Sequence, residues 1–146
     1  PGNTGKPVLE LDIILAIQLG NLTIKKTVVK NGGIPDEDQA FIFDVVGTST
    51  ATKSINMTVI VYGNGSVTIN DLPVGNYKVS ERTDWSWRYA KASVKVSVNG
   101  ASAVTATSRT VTVKAKETAN ISFTNTLTNK KWLSDTCYAV NKFKEV

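Results

Sequence analysis

The sequence predicts an all-β chain folded as a sandwich of two sheets, with an extra N-terminal strand. Val, Ile and Thr dominate the composition, apolar and polar residues alternate over short runs, and turn pairs recur between those runs at Asn31-Gly32, Asn64-Gly65 and Asn99-Gly100. With 146 residues, 41% of them hydrophobic, the chain can bury one sizeable core, but not two independent ones unless both are small. The expected organisation is an N-terminal extension over 1–20, a β-sandwich body over 21–128 and a C-terminal tail over 129–146.

The first element is VLELDIILAIQL, residues 8–19, which sets Leu9, Leu11, Ile13, Leu15, Ile17 and Leu19 on one face of a strand. Good helix formers leave an amphipathic helix open there, but six consecutive odd positions of Leu or Ile favour the strand, which Gly20-Asn21 is expected to end. Strands are then expected over 21–29, 40–47, 54–62, 66–70, 75–82, 86–98, 102–114 and 119–128. The Gly-, Pro- and acid-rich stretch Asn31 to Asp38 reads as a loop, and Asp71-Leu72-Pro73-Val74-Gly75 as a tight connection. That many short strands at this spacing imply two packed sheets. Residues 132–146, WLSDTCYAVNKFKEV, read as an irregular tail or a short extra strand.

The composition excludes several kinds of chemistry. There is no histidine, hence no histidine triad or histidine-ligated metal, and the lone Cys137 allows no intrachain disulfide or multi-thiolate site. Cys137 reads as a small apolar residue, with an intermolecular disulfide as the alternative. The net charge of +5 comes from lysines scattered along the strands, without the aromatic interleaving of a single-stranded nucleic-acid groove; no nucleic-acid partner is expected. Attraction to an acidic surface such as a cell wall is the other reading of that charge. No apolar run is long enough to cross a bilayer, and the opening PGNTGKP has no signal-peptide pattern, so the chain reads as a mature or excised segment. Four Asn-x-Ser/Thr matches, at Asn21, Asn56, Asn64 and Asn120, are what so Asn-, Ser- and Thr-rich a chain gives by chance.

Three polar residues break otherwise apolar rows. Alternate strand residues share a face, so Lys26 continues the row Leu22, Ile24; Glu81 ends Tyr77, Val79; and Asn125 ends Ile121, Phe123. Lys25 has the opposite parity and should face solvent. An amine, a carboxyl and a carboxamide brought together away from water can form a Lys-to-Asn amide, the carboxyl moving protons. The trio points to a self-crosslinking structural domain. The plainer alternative leaves Glu81 solvated, or paired with Arg82 or Lys78.

The runs LTIKKTV, QAFIFDV, DLPVGNYKVSE and ISFTNT, over residues 21–128, resemble the CnaB-type (prealbumin-like, inverse immunoglobulin) domains of Gram-positive surface proteins and pilins. The Gly-x-Tyr-x-Val-x-Glu run from Gly75 to Glu81 and the pair Phe123 and Asn125 carry the resemblance in order and phase. It implies an Ig-like sandwich in which Lys26 and Asn125 form an intramolecular isopeptide bond assisted by Glu81. It also implies a secreted or cell-surface, extracellular location. The sequence shows no sorting signal, hydrophobic tail or pilin-type lysine motif of the kind sortases use, so sortase-built assembly is not expected.

The chemistry of the residues is compatible with that bond. Burial disfavours the charged forms of amines and carboxyls, which frees an amine to act as a nucleophile. Attack on the carboxamide expels ammonia in a single turnover that relies on enforced proximity. Closing a loop of about 100 residues would contribute on the order of 4 to 5 kcal/mol by restricting the unfolded chain, by analogy with a disulfide.

Two further features bear on function. The Leu and Ile row of residues 9–19 needs a cover, either its own body, a preceding domain, or a neighbouring copy that receives it as a donated strand. Trp85, Trp87 and Tyr89 are expected on one face of a single strand, where they would pack in a core or contact a partner or sugar. Glu10 and Asp12 need no role beyond solvation, and the acidic loop Asp36, Glu37, Asp38 lacks calcium-loop spacing, so no metal or other cofactor is expected. The sequence therefore leaves two function classes: a structural module of a bacterial surface stalk or pilus-like filament, self-associating through the N-terminal strand or tandem siblings, and an adhesin or carbohydrate-binding module with a host or cell-wall ligand. An enzyme acting on an external substrate is not expected.

Overall fold

Alternating burial carries the sequence pattern into strands. The computed structural model describes residues 18–29, 38–85 and 94–126. Among them run β1 (Leu19–Val29), β2 (Ala40–Gly47), β3 (Asn56–Tyr62), β4 (Ser66–Pro73), β5 (Gly75–Glu81), β6 (Lys95–Val98), β7 (Val104–Thr105), β8 (Ser108–Val113) and β9 (Thr118–Thr126). They form a five-stranded sheet, β4-β1-β9-β6-β7, and a four-stranded sheet, β3-β2-β5-β8, packed as a sandwich. Inward residues such as Leu22 and Ile24 of β1, Phe43 of β2, Val79 of β5 and Ile121 and Phe123 of β9 are fully buried in the shared core. Each contributes about 1.5 to 3 kcal/mol by leaving water.

The first and last strands of the body are neighbours. β1 and β9 pair in parallel, from Asn21 opposite Thr118 to Val29 opposite Thr126. Parallel neighbours need a long crossover, and here all the other strands lie within it. β4 flanks β1 on its other side, antiparallel. The β4-to-β5 corner is tied by the buried Tyr77, whose hydroxyl donates to Pro73 O at 2.6 Å.

The structure corrects the expected element bounds in four places. Gly20-Asn21 does not end a strand: β1 starts at Leu19 and runs through both residues, with an irregularity between Gly20 and Leu22. Glycine is needed there because a Cβ would lie 2.1 Å from Lys114 O. β4 does not stop at residue 70 but continues to Pro73, with Asp71 in the left-handed region at φ 56 and its N–H bonded to Asn21 Oδ1 at 3.2 Å. The expected strand 102–114 is two strands in different sheets, β7 beside β6 and β8 beside β5. The chain changes sheet at residues 106 and 107, where Ala106 N–H donates to Val94 O and Thr107 O accepts from Glu81 N–H.

The fourth correction concerns the aromatic row. After Glu81 the chain makes a 3-10 turn at Thr83–Trp85, as Thr-Asp favours, so Trp85 does not lie on a strand with Trp87 and Tyr89. Of the expected strand 86–98, the described residues hold β6 alone. Trp87, Tyr89, Cys137, the tail and the row Leu9, Leu11, Ile13, Leu15, Ile17 lie outside the described residues. No helix among the described residues is long and apolar enough to cross a membrane.

Candidate functional site

Each residue of the polar trio reaches the site because its strand parity turns it inward. On the parallel pair, Lys26 stands opposite Phe123 and Val28 opposite Asn125, so Lys26 and Asn125 share a face two residues out of step. Glu81, the last residue of β5, comes from the facing sheet, where it pairs with Phe43 of β2. Lys26, Glu81 and Asn125 are 1%, 5% and 0% exposed. Lys25 is exposed, as its parity requires.

One carboxylate bridges the other two groups. Lys26 Nζ lies 3.0 Å from both Glu81 Oε1 and Oε2, and Asn125 Nδ2 donates to Oε1 at 2.6 Å. Asn125 Oδ1 is buried without a hydrogen-bond partner, an unusual condition for a polar atom in a core. The alternative surroundings for Glu81 do not hold. It is buried against Lys26, Lys78 is exposed, and Arg82 makes a two-pronged pair with Asp44 at 2.7 and 2.8 Å on the outer face.

Aromatic rings wall the site, a feature not singled out from sequence. Lys26 Nζ sits 4.3 Å from the centre of the Phe41 ring and 5.9 Å from that of Phe43, which itself packs on Phe123 at 4.9 Å. The signal was present in the Phe-x-Phe spacing of β2, but only the topology tells which strand faces Lys26. This dry setting pushes the Lys26 amine down from 10.5 to about 8, burial outweighing the opposing pull of Glu81. The arrangement holds a readily deprotonated amine and a carboxamide on a single carboxyl, sealed from water. No cluster of three or more metal-ligating side chains occurs among the described residues.

A search of curated proteins finds no match to the chain. Solved structures do resemble it. A pilus-presented adhesin matches at 22% identity over 77% of this chain and 27% of its own, with a TM-score of 0.55. An adhesin from Mobiluncus mulieris containing intramolecular disulfide, isopeptide and ester bond cross-links matches at 19% over 76% of this chain and 42% of its own, with a TM-score of 0.56. A major pilin from Streptococcus pyogenes matches at 18%, over 76% of this chain and 46% of its own, with a TM-score of 0.54. The chain thus spans less than half the length of each, and the likeness establishes a fold shared with pilin and adhesin domains. A family model matches residues 22–128, a stretch that includes Lys26, Glu81 and Asn125, and the chain belongs to that family, described as domain of unknown function DUF5979.

Proposed function

We propose that this domain is a structural module of a bacterial surface stalk or pilus-like filament, strengthened by an isopeptide bond that it forms between Lys26 and Asn125. The observation that carries this reading is the buried group of amine, carboxyl and carboxamide joined through Glu81. The Lys26 ammonium passes a proton to Glu81, and the free Nζ attacks Asn125 Cγ. Glu81 donates to the oxygen as the tetrahedral intermediate forms, takes a proton from Nζ and delivers it to Nδ2. As the Cγ–Nδ2 bond breaks, the hydroxyl of the intermediate returns its proton to Glu81 and becomes the oxygen of the new amide; the departing ammonia takes that proton and leaves as ammonium, which restores the Glu81 carboxylate. Turning the Asn125 carboxamide by half a revolution exchanges Nδ2 for the unpartnered Oδ1, and the 2.6 Å separation from Oε1 suits an O–H···O bond. The protein would act extracellularly and need no cofactor.

The test is the intact mass of the purified chain. A deficit of one ammonia, absent in Lys26→Ala, Glu81→Ala and Asn125→Ala, is the expected result. The full calculated mass in the wild type refutes the bond.

The same reading assigns residues 9–17 to a neighbouring copy as a donated strand. Inward residues of the two sheet edges, Met57 and Val59 of β3 and Val67 and Ile69 of β4, are only half-buried, which supports an acceptor on that side of the sandwich. Filaments in electron micrographs that persist after deletion of residues 1–17 would refute the donation. A second reading, an adhesin or carbohydrate-binding module, is favoured by the two adhesins among the similar structures. It predicts saturable glycan binding that is lost in Trp85→Ala or Trp87→Ala.

A further inference from the structure

β4 accompanies β1 only as far as Ser66, opposite Lys25. Beyond that point the N–H groups of Lys26 and Val28 face the side that β4 has left, in the stretch of β1 that carries the reacting amine. The turn joining β3 to β4 supplies both acceptors. Gly65 O takes the Lys26 N–H at 2.8 Å, and the side-chain Oδ1 of Asn64 takes the Val28 N–H at 2.6 Å. Asn64 thereby stands in for a missing strand residue. On the other side of β1, Val28 is the residue registered with Asn125.

Turn geometry alone does not call for asparagine here. The left-handed backbone position belongs to Gly63, at φ 51, whose N–H is held by Gln39 O at 2.9 Å, whereas Asn64 has no positive φ. The side chain of Asn64 is therefore spent on β1.

We propose that Asn64 is a positioning residue for amide formation: by holding Val28, it keeps the end of β1 in register with β9 and the Lys26 amine within reach of the Asn125 carbonyl. This assignment rests on the Lys26-to-Asn125 bond proposed above. Without an acceptor the half-buried Val28 N–H loses its partner, and the last residues of β1 are tied on one side only. A displacement of about 1 Å can slow a proximity-driven reaction about a hundredfold. Once the amide exists it holds the two strands itself, so Asn64 governs the rate of bond formation and not the final product.

The experiment starts from full-length chain isolated unfolded, before reaction, and diluted into native buffer. Loss of ammonia is followed by intact mass, and folding by tryptophan fluorescence. Asn64→Ala is expected to fold at the wild-type rate yet lose ammonia about tenfold more slowly or worse, while Asn64→Asp, which keeps an acceptor oxygen, returns to within about twofold of the wild type. Asn64→Ser, a turn former whose hydroxyl is too short to replace Oδ1, should behave as Asn64→Ala does, and it reads the role if the alanine variant fails to fold. Wild-type reaction rates in the alanine and serine variants, or equal slowing in the aspartate variant, overturn the assignment alone. A wild type that keeps its full mass overturns the crosslink, and this assignment with it.

Discussion

Lys26 offers a way to measure the state of the site through stability. In Asn125→Ala the amine has no carboxamide to attack, so Lys26 and Glu81 stay as an unreacted pair. Burial lowers the Lys26 pKa from 10.5 to about 8. Between those two values the unfolded chain still holds a proton that the folded chain has released, so stability must rise with pH across that window. At about 1.4 kcal/mol per unit, the fall to about 8 corresponds to about 3 kcal/mol. The assay is urea unfolding of Asn125→Ala at a series of pH values from below 8 to 10.5, with Lys26→Met/Asn125→Ala as the reference that cancels other groups, including Tyr77, whose phenol burial pushes up. The difference between the two should grow in favour of the lysine variant by about 3 kcal/mol as pH rises. In the reacted wild type Lys26 is an amide and makes no such contribution. A difference that is flat or falls with pH would refute the argument that the amine is held dry.

Other outcomes follow from the same geometry. Phe41→Ala should cost about 3 to 5 kcal/mol, admit water to Nζ, raise the Lys26 pKa toward 10.5 and slow ammonia loss; unfolding, pH titration and intact mass each read one of these effects. Arg82→Ala breaks the pair with Asp44, which is 46% and 30% exposed at its two ends and screened by solvent, so it should scarcely move the urea midpoint and leave ammonia loss untouched. Asn125→Ala should unfold at lower urea than the wild type, by on the order of 4 to 5 kcal/mol near neutral pH, the contribution expected of the proposed bond, which would close the loop from residue 26 to 125.

The placement of the trio was legible because strand parity is a local property. Lys26, Glu81 and Asn125 each extend an apolar row of period two, and the same rule turned Lys25 outward. Long-range features were not legible. The bend that sends β7 and β8 to different sheets falls between Val104 and Ala106, of one parity, and Val111 and Val113, of the other, but a parity change over so few apolar residues does not tell a change of sheet from a bulge within one strand. Gly20 reads as a strand breaker until Lys114 O is seen packed where a side chain would stand. Phe41 and Phe43 read as ordinary core residues, and Asn64 as half of a turn pair. Their relation to Lys26 depends on which strands face each other and on where β4 parts from β1, and neither is encoded within a short window. The same holds for Trp85, where a local Thr-Asp turn prevailed over the apparent continuation of a strand.

The parallel course of β1 and β9 fixes how force would pass through the body. The chain enters at Leu19 at one end of the sandwich and departs at Thr126 at the other, so a pull on the two ends slides the strands lengthwise past each other. All nine register pairs then resist at once, in shear, instead of parting one after another as in an unzipped hairpin. The same course sets a repeat distance. A nine-residue strand such as β9 advances about 30 Å, so copies joined in series would each extend a fibre by roughly that length with no reversal of direction.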